Sequence, residues 1–136
     1  MQIAKCKLAD GEFMTPEILA DRLVDFAARI GKLVDALPDT RLGRHVAGQM
    51  VRCGTAAAPN YEEACAAESR ADFIHKLRIC LKELRESRAW VRLIIRANLL
   101  AEHRVNELLD ECGQLCNILG QSIATATANK DGPQKP

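Results

Sequence analysis

An all-α, antiparallel up-down four-helix bundle is the fold this sequence predicts, and three observations predict it. Ala, Leu, Glu and Arg dominate while β-branched runs are absent, so residue preference favours helix along the whole chain. Apolar residues recur every three or four positions through four segments of about 20–28 residues. Short breaks join those segments, which sets consecutive helices side by side in opposite directions. The 136 residues suit one domain with one core.

Residues 1–14 read as a weakly structured lead-in and 15–126 as the bundle. The first helix starts at Thr15-Pro16-Glu17, where Thr caps, Pro suits the first turn and Glu complements the positive helix end. Leu19, Leu23, Phe26, Ile30, Leu33 and Leu37 form its buried stripe, and Pro38-Asp39 ends it. A second helix begins near Arg41, with Leu42, Val46, Met50, Cys53 and Ala57 inward. Pro59 lacks an amide hydrogen, so a kink is expected there, and the helix is expected to end between Ala64 and Glu68. Gly54 and Ala56-Ala57-Ala58 are small enough for close approach of a neighbour. Ser69-Arg70-Ala71-Asp72 resembles a capping box and opens a third helix to about Ala97, with Phe73, Cys80, Leu84, Ser87, Val91 and Ile94 inward. Asn98 breaks the pattern. A fourth helix spans roughly Ala101 to Ala126, with Val105, Leu108, Cys112, Leu115, Leu119 and Ile123 inward. Residues 127–136 are expected as a disordered tail.

The net charge of +1 gives no whole-molecule field for steering toward nucleic acid or membrane, so partners must be sought in local patches. MQIAKCKLADGEF has no apolar core fit for a signal peptide, and no run reaches membrane-spanning length; a cytoplasmic location and no membrane partner are expected. Six cysteines without a C-x-x-C pair read as small buried apolar side chains. His45, His75 and His103 stand apart from one another, no Glu-x-x-His pair occurs, and no glycine loop cradles phosphate. No cofactor, metal or catalytic set is expected.

Charge is distributed unevenly. At 100° per residue, Arg78, Lys82, Arg85, Arg88, Arg92 and Arg96 fall within about a third of the third helix's circumference. Residues 70–96 carry a local charge of +5, and residues 97–123 carry −3. One reading is a phosphate-binding stripe for RNA or DNA, for which arginine is well suited. Another is a solvated face partly neutralised by Glu102, Glu107, Asp110 and Glu111 on the neighbouring helix or subunit, with Leu77 and Leu81 interrupting one flank. An acidic protein partner is a third. A second cluster combines Asn60, Glu63, Lys76, Lys82, Glu83 and Glu86, either as a polar network fixing helix register or subunit contact, or as a binding pocket. Lys82 and Glu86 also have the spacing of an intrahelical pair. Trp90 lies off the centre of the core stripe, as a bundle-edge filler or a subunit anchor.

Arg52-x-Gly54-Thr55, Asn60-x-Glu62-Glu63-Ala64, Ser69-x-x-Asp72-Phe73-Ile74-x-Lys76, Leu81-Lys82-Glu83-x-x-Glu86 and Trp90-x-x-Leu93-Ile94 occur in that order. Through them the chain resembles the four-helix bundle proteins related to the large-subunit ribosomal RNA intervening-sequence protein. The resemblance is close over 52–95 and looser over 15–120. It implies an antiparallel bundle assembling as a homopentamer, and it favours Trp90 as a subunit anchor. A more distant relative, the accessory protein of diversity-generating retroelements, implies nucleic-acid binding and a reverse transcriptase as a protein partner. The reading that results is a non-enzymatic oligomeric scaffold or accessory protein that binds RNA or DNA; the alternative is a protein-binding oligomer without nucleic-acid contact.

Overall fold

The computed structural model describes residues 6–7 and 13–131, with side chains over 14–129. The fold is all-α apart from a two-residue antiparallel pairing of β1 (Cys6–Lys7) with β2 (Phe13–Met14). Here the lead-in differs from its weakly structured expectation: Met14 is buried in the core. The helices are α1 (Pro16–Ala36), α2 (Arg41–Gly54), α3 (Ala57–Cys65), α4 (Arg70–Arg96) and α5 (Asn106–Asp131), with a 3-10 turn at Glu102–Arg104. Because α2 and α3 make one broken arm, the bundle has four arms. The helix α5 runs to Asp131, past the expected end at Ala126, and residues 132–136 of the expected tail lie outside the described residues.

Each start is chemically marked. Thr15 Oγ1 accepts from the Ile18 amide at 3.2 Å, Thr40 Oγ1 from Gly43 at 3.0 Å, and Ser69 Oγ from Asp72 at 3.0 Å. Each bond satisfies an amide that a helix start leaves unpaired. At the other end of α4, Asn98 adopts φ 55°, a left-handed conformation that Asn tolerates. Its amide bonds the Ile95 carbonyl at 3.1 Å and that of Leu99 bonds Ile94 at 2.9 Å, the paired bonds of a Schellman motif.

Two expectations on the second arm are corrected. The break falls at Thr55–Ala56 rather than at Pro59, which is the third residue of α3. Proline acts one turn upstream: its ring crowds the carbonyl four residues back, here that of Thr55, and its missing amide falls among those a first turn leaves unbonded anyway. Leu42 is exposed, not inward, and Gly43 takes the buried position. A Cβ on Gly43 would lie 2.1 Å from the Pro38 carbonyl oxygen, so only glycine fits that corner.

The core is continuous across all the arms, with Leu23, Ile30, Val46, Met50, Leu77, Leu84, Ile94, Leu115 and Leu119 wholly buried. Going up α4 from Lys76 through Cys80 to Ser87, the partners descend from Glu63 through Ala57 to Cys53, so α4 and the α2–α3 arm run in opposite directions. Leu77 is wholly buried in this core, and Leu81, nearly so, edges the surface beside Arg78, Lys82 and Arg85. Tyr61 is fully buried, and its hydroxyl has no nitrogen or oxygen partner among the described residues. It faces the Cys65 sulfur, a weak acceptor. Tyr61→Phe is therefore expected to leave stability unchanged or raise it by about 1 kcal/mol, since it removes a desolvated donor and keeps the ring. A urea melt checks this, and a clear loss of stability would show that the hydroxyl is paired.

Candidate nucleic-acid interface

The 27-residue α4 is about 40 Å long, and its six stripe cations, Arg78 to Arg96, span about 27 Å of it. Arg78, Lys82, Arg85, Arg92 and Arg96 are exposed and Arg88 is half-buried. None of the six takes part in any ion pair or hydrogen bond among the described residues. Two of the four acids expected to neutralise them, Asp110 and Glu111, have other partners. Glu111 makes a two-pronged pair with Arg22 of α1, and Asp110 accepts from Gln114 at 2.7 Å on its own helix. Within one chain the neutralised-face reading thus has no ion pair behind it. Arg78, Lys82 and Arg85 border a groove of about 390 Å³ with Leu81 and Ile123 at its apolar side. Phosphates can meet the cations while a flat base covers the carbon surface.

The second cluster resolves into two separate units. Lys76 Nζ pairs with Glu63 at 2.9 Å, which raises the lysine pKa through that hydrogen bond. Further along the same seam, Arg52 donates through Nη2 to both carboxylate oxygens of Glu86 at 2.7 Å and lies 3.6 Å from Glu83. Arg52, raised in pKa chiefly by its bond to Glu86, is the cation that the residue-by-residue reading omitted. Its partner lies 34 positions away, so no local spacing reveals it. Glu86 is thereby taken from the expected pairing with Lys82. Asn60 stays local, donating Nδ2–H to the Ala56 carbonyl at 2.8 Å beside the arm's break. Glu83 Oε2 and Trp90 Nε1 are buried without a hydrogen-bond partner among the described residues. Trp90 is half-buried against the core and meets His45 of α2 edge-on, with ring centroids 5.7 Å apart. Glu63 and Lys76 border an open cleft of about 540 Å³ with Ser69 and Asp72, whereas Arg52, Glu83, Glu86 and Trp90 lie along the seam between α4 and α2.

Among the described residues no group of three or more His, Cys, Asp and Glu side chains is placed to hold a metal. The cysteines there are unbridged thiols, and all but Cys65 are buried. Cys116 and Cys112 touch within the core: contact with Cys112, aided by Arg88 and Arg85, lowers the Cys116 pKa, while the Cys112 thiol is pushed up. Burial pushes Cys80 up to about 12 and also raises Cys53 and Tyr61. A thiol whose folded pKa exceeds the ordinary 9.0 gives stability that is complete below about pH 9 and lost as pH rises toward about 12. Stability should therefore decline from pH 9 upward, and Cys80→Ala should flatten that decline. Urea midpoints between pH 8 and 11 measure it; parallel profiles for the two proteins would exclude Cys80 as a cause.

Comparison with known proteins now bears on the fold. The family described as 23S rRNA-intervening sequence protein matches residues 18–121, most of the chain. The chain belongs to this family. A crystallised protein of unknown function from the S23 ribosomal protein family of Bacteroides thetaiotaomicron is similar in sequence and shape. It shares 32% identity with a TM-score of 0.72, over 77% of this chain and 97% of that one. No curated protein matches the chain. The family match takes in α2, α3 and α4 entire, and with them the stripe and both ion-pair units. No helix among the described residues is long and apolar enough to cross a membrane.

Proposed function

We propose that this family member is a non-enzymatic, cytoplasmic oligomer, an antiparallel up-down bundle assembling as a homopentamer, whose α4 stripe binds RNA or DNA. The observation that carries the reading is the set of six cations along one helix with no ion pair among the described residues, while Asp110 and Glu111 are engaged elsewhere. Such a row matches the charge of a nucleic-acid backbone, and a ring of copies multiplies it. The family's name, which refers to 23S rRNA, agrees with that direction. Self-association draws support from Ile18 and Val24 on α1 and Leu42 and Val51 on α2, large apolar side chains left exposed by one chain. The Trp90 Nε1–H, without a hydrogen-bond partner among the described residues, suits an acceptor on a second copy.

The same apolar face favours one other reading, a protein-binding scaffold without nucleic-acid contact, with a reverse transcriptase among its candidate partners. Anisotropy titrations of labelled single-stranded RNA and DNA separate the two. Six phosphate contacts give a slope of log affinity on log salt of about −4. Light scattering on the same sample should return five times the 15.0 kDa chain mass. No binding at low salt would overturn the nucleic-acid reading and leave the scaffold.

A further inference from the structure

Toward the C-terminal end of α1, a second cationic site is built from α1 and the segment that follows α4. Arg29 and Lys32 lie one turn apart on α1, and Arg104 reaches in from the 3-10 turn that precedes α5. Together they line a cleft of about 300 Å³, open to solvent on one side. None of the three has an ion-pair partner among the described residues, and Glu107 is the single carboxylate lining the cleft. Leu33, Leu100 and Leu108, each nearly buried, form its apolar floor.

We propose that this cleft binds a phosphomonoester carried on a compact ring-bearing body, of the size and kind of a nucleoside monophosphate. Two guanidinium forks and an ammonium converge from two elements, an arrangement suited to several oxygens of one phosphate. A bare phosphate would leave the leucine floor uncovered, whereas a ring packed there removes that carbon from water. The volume stands at the lower end of small-ligand pockets, the size of one nucleotide unit, and the open side leaves room for a strand to continue. Glu107 and His103 at the wall supply polar partners for ligand hydroxyls. The site is pre-organised, since the Schellman turn at Asn98 fixes the chain that delivers Leu100. The same phosphomonoester chemistry occurs free in solution or at the 5′ end of a strand.

The test is calorimetric titration with adenosine 5′-monophosphate, adenosine and inorganic phosphate. The monophosphate should bind at least about tenfold more tightly than either fragment, because each fragment forfeits one half of the site. Arg29→Ala/Arg104→Ala should weaken it by about tenfold or more, and Arg85→Glu/Arg92→Glu should leave it within about twofold. All four positions lie at the surface, and a thermal melt confirms that the variants fold. A 5′-phosphorylated oligonucleotide, compared with its 5′-hydroxyl form in the Arg85→Glu/Arg92→Glu background, separates the sources. Stronger binding of the phosphorylated strand than of the mononucleotide assigns a strand end, and equal binding assigns the free ligand. No binding of the monophosphate, or binding indifferent to Arg29→Ala/Arg104→Ala, overturns the proposal.

Discussion

Gly54→Ala should destabilise the protein by about 3 kcal/mol, although alanine is the better helix former. A Cβ at this position would meet Ile30 Cγ2 at 2.6 Å, Cγ1 at 2.8 Å and Cβ at 3.1 Å. Terminal methyls can rotate aside, but an isoleucine Cβ moves only with its backbone, and Ile30 is wholly buried in α1. The added methyl must therefore push α1 and the α2–α3 arm apart or distort the end of α2. The helical preference gained, at most about 1 kcal/mol and less at a terminal residue, does not offset this. Because Arg52 and Cys53 sit immediately before Gly54, such a shift also disturbs the Arg52–Glu86 pair and the Cys53–Ser87 contact. A double-mutant cycle in urea tests the cause. Ile30→Ala alone should cost about 2–5 kcal/mol through its cavity, and the double variant should be less destabilised than the sum of the two by about 1–3 kcal/mol. Simple additivity would show that Gly54 does not owe its place to Ile30.

What the sequence reveals and what it hides follow from the range of the forces involved. The boundaries of α1 and α4 are local chemistry: Thr15, Pro16 and Ser69 cap or start helices from within three residues, and Asn98 stops one by its own φ. The face of α4 is legible for the same reason, since the angle between Arg78 and Arg96 depends only on helical pitch. The misreadings are tertiary. Both Leu42 and Gly43 have helical spacing to Val46, and only the Pro38 carbonyl decides that the smaller one turns inward. The break at Thr55–Ala56 is a local effect of Pro59 displaced by one turn, and so was placed too late. The pairs Arg22–Glu111 and Arg52–Glu86 join residues 89 and 34 apart, and they decide which acids remain to face the stripe. Charge totals along α5 suggested neutralisation; the partners of individual carboxylates do not bear it out.

Replacing Arg85 and Arg92 with glutamate should lower affinity for single-stranded RNA or DNA by at least about 100-fold near physiological salt. Each loses a charge-assisted contact of about 1.5 kcal/mol or more, and two such losses amount to about 3 kcal/mol before repulsion is counted. Repulsion adds to this, since the new carboxylates face phosphates over a surface that Arg88 and Lys82 only partly compensate. The slope of log affinity on log salt should become shallower by at least about 1.4, because two fewer counterions are released. Neither arginine has an ion-pair partner among the described residues, so the fold should not suffer. The one internal consequence is at Cys116, whose thiolate Arg85 helps to favour, so its pKa should rise. Arg52→Glu is the opposing control: it breaks the Glu86 pair and sets like charges together at the α2–α4 seam, so it should reduce stability while leaving the stripe's charges in place. If Arg85→Glu/Arg92→Glu left both affinity and salt slope unchanged, nucleic acid would not bind along α4. If it dissociated the oligomer, these cations would lie between subunits, and the exposed row on one chain would be half of a protein interface.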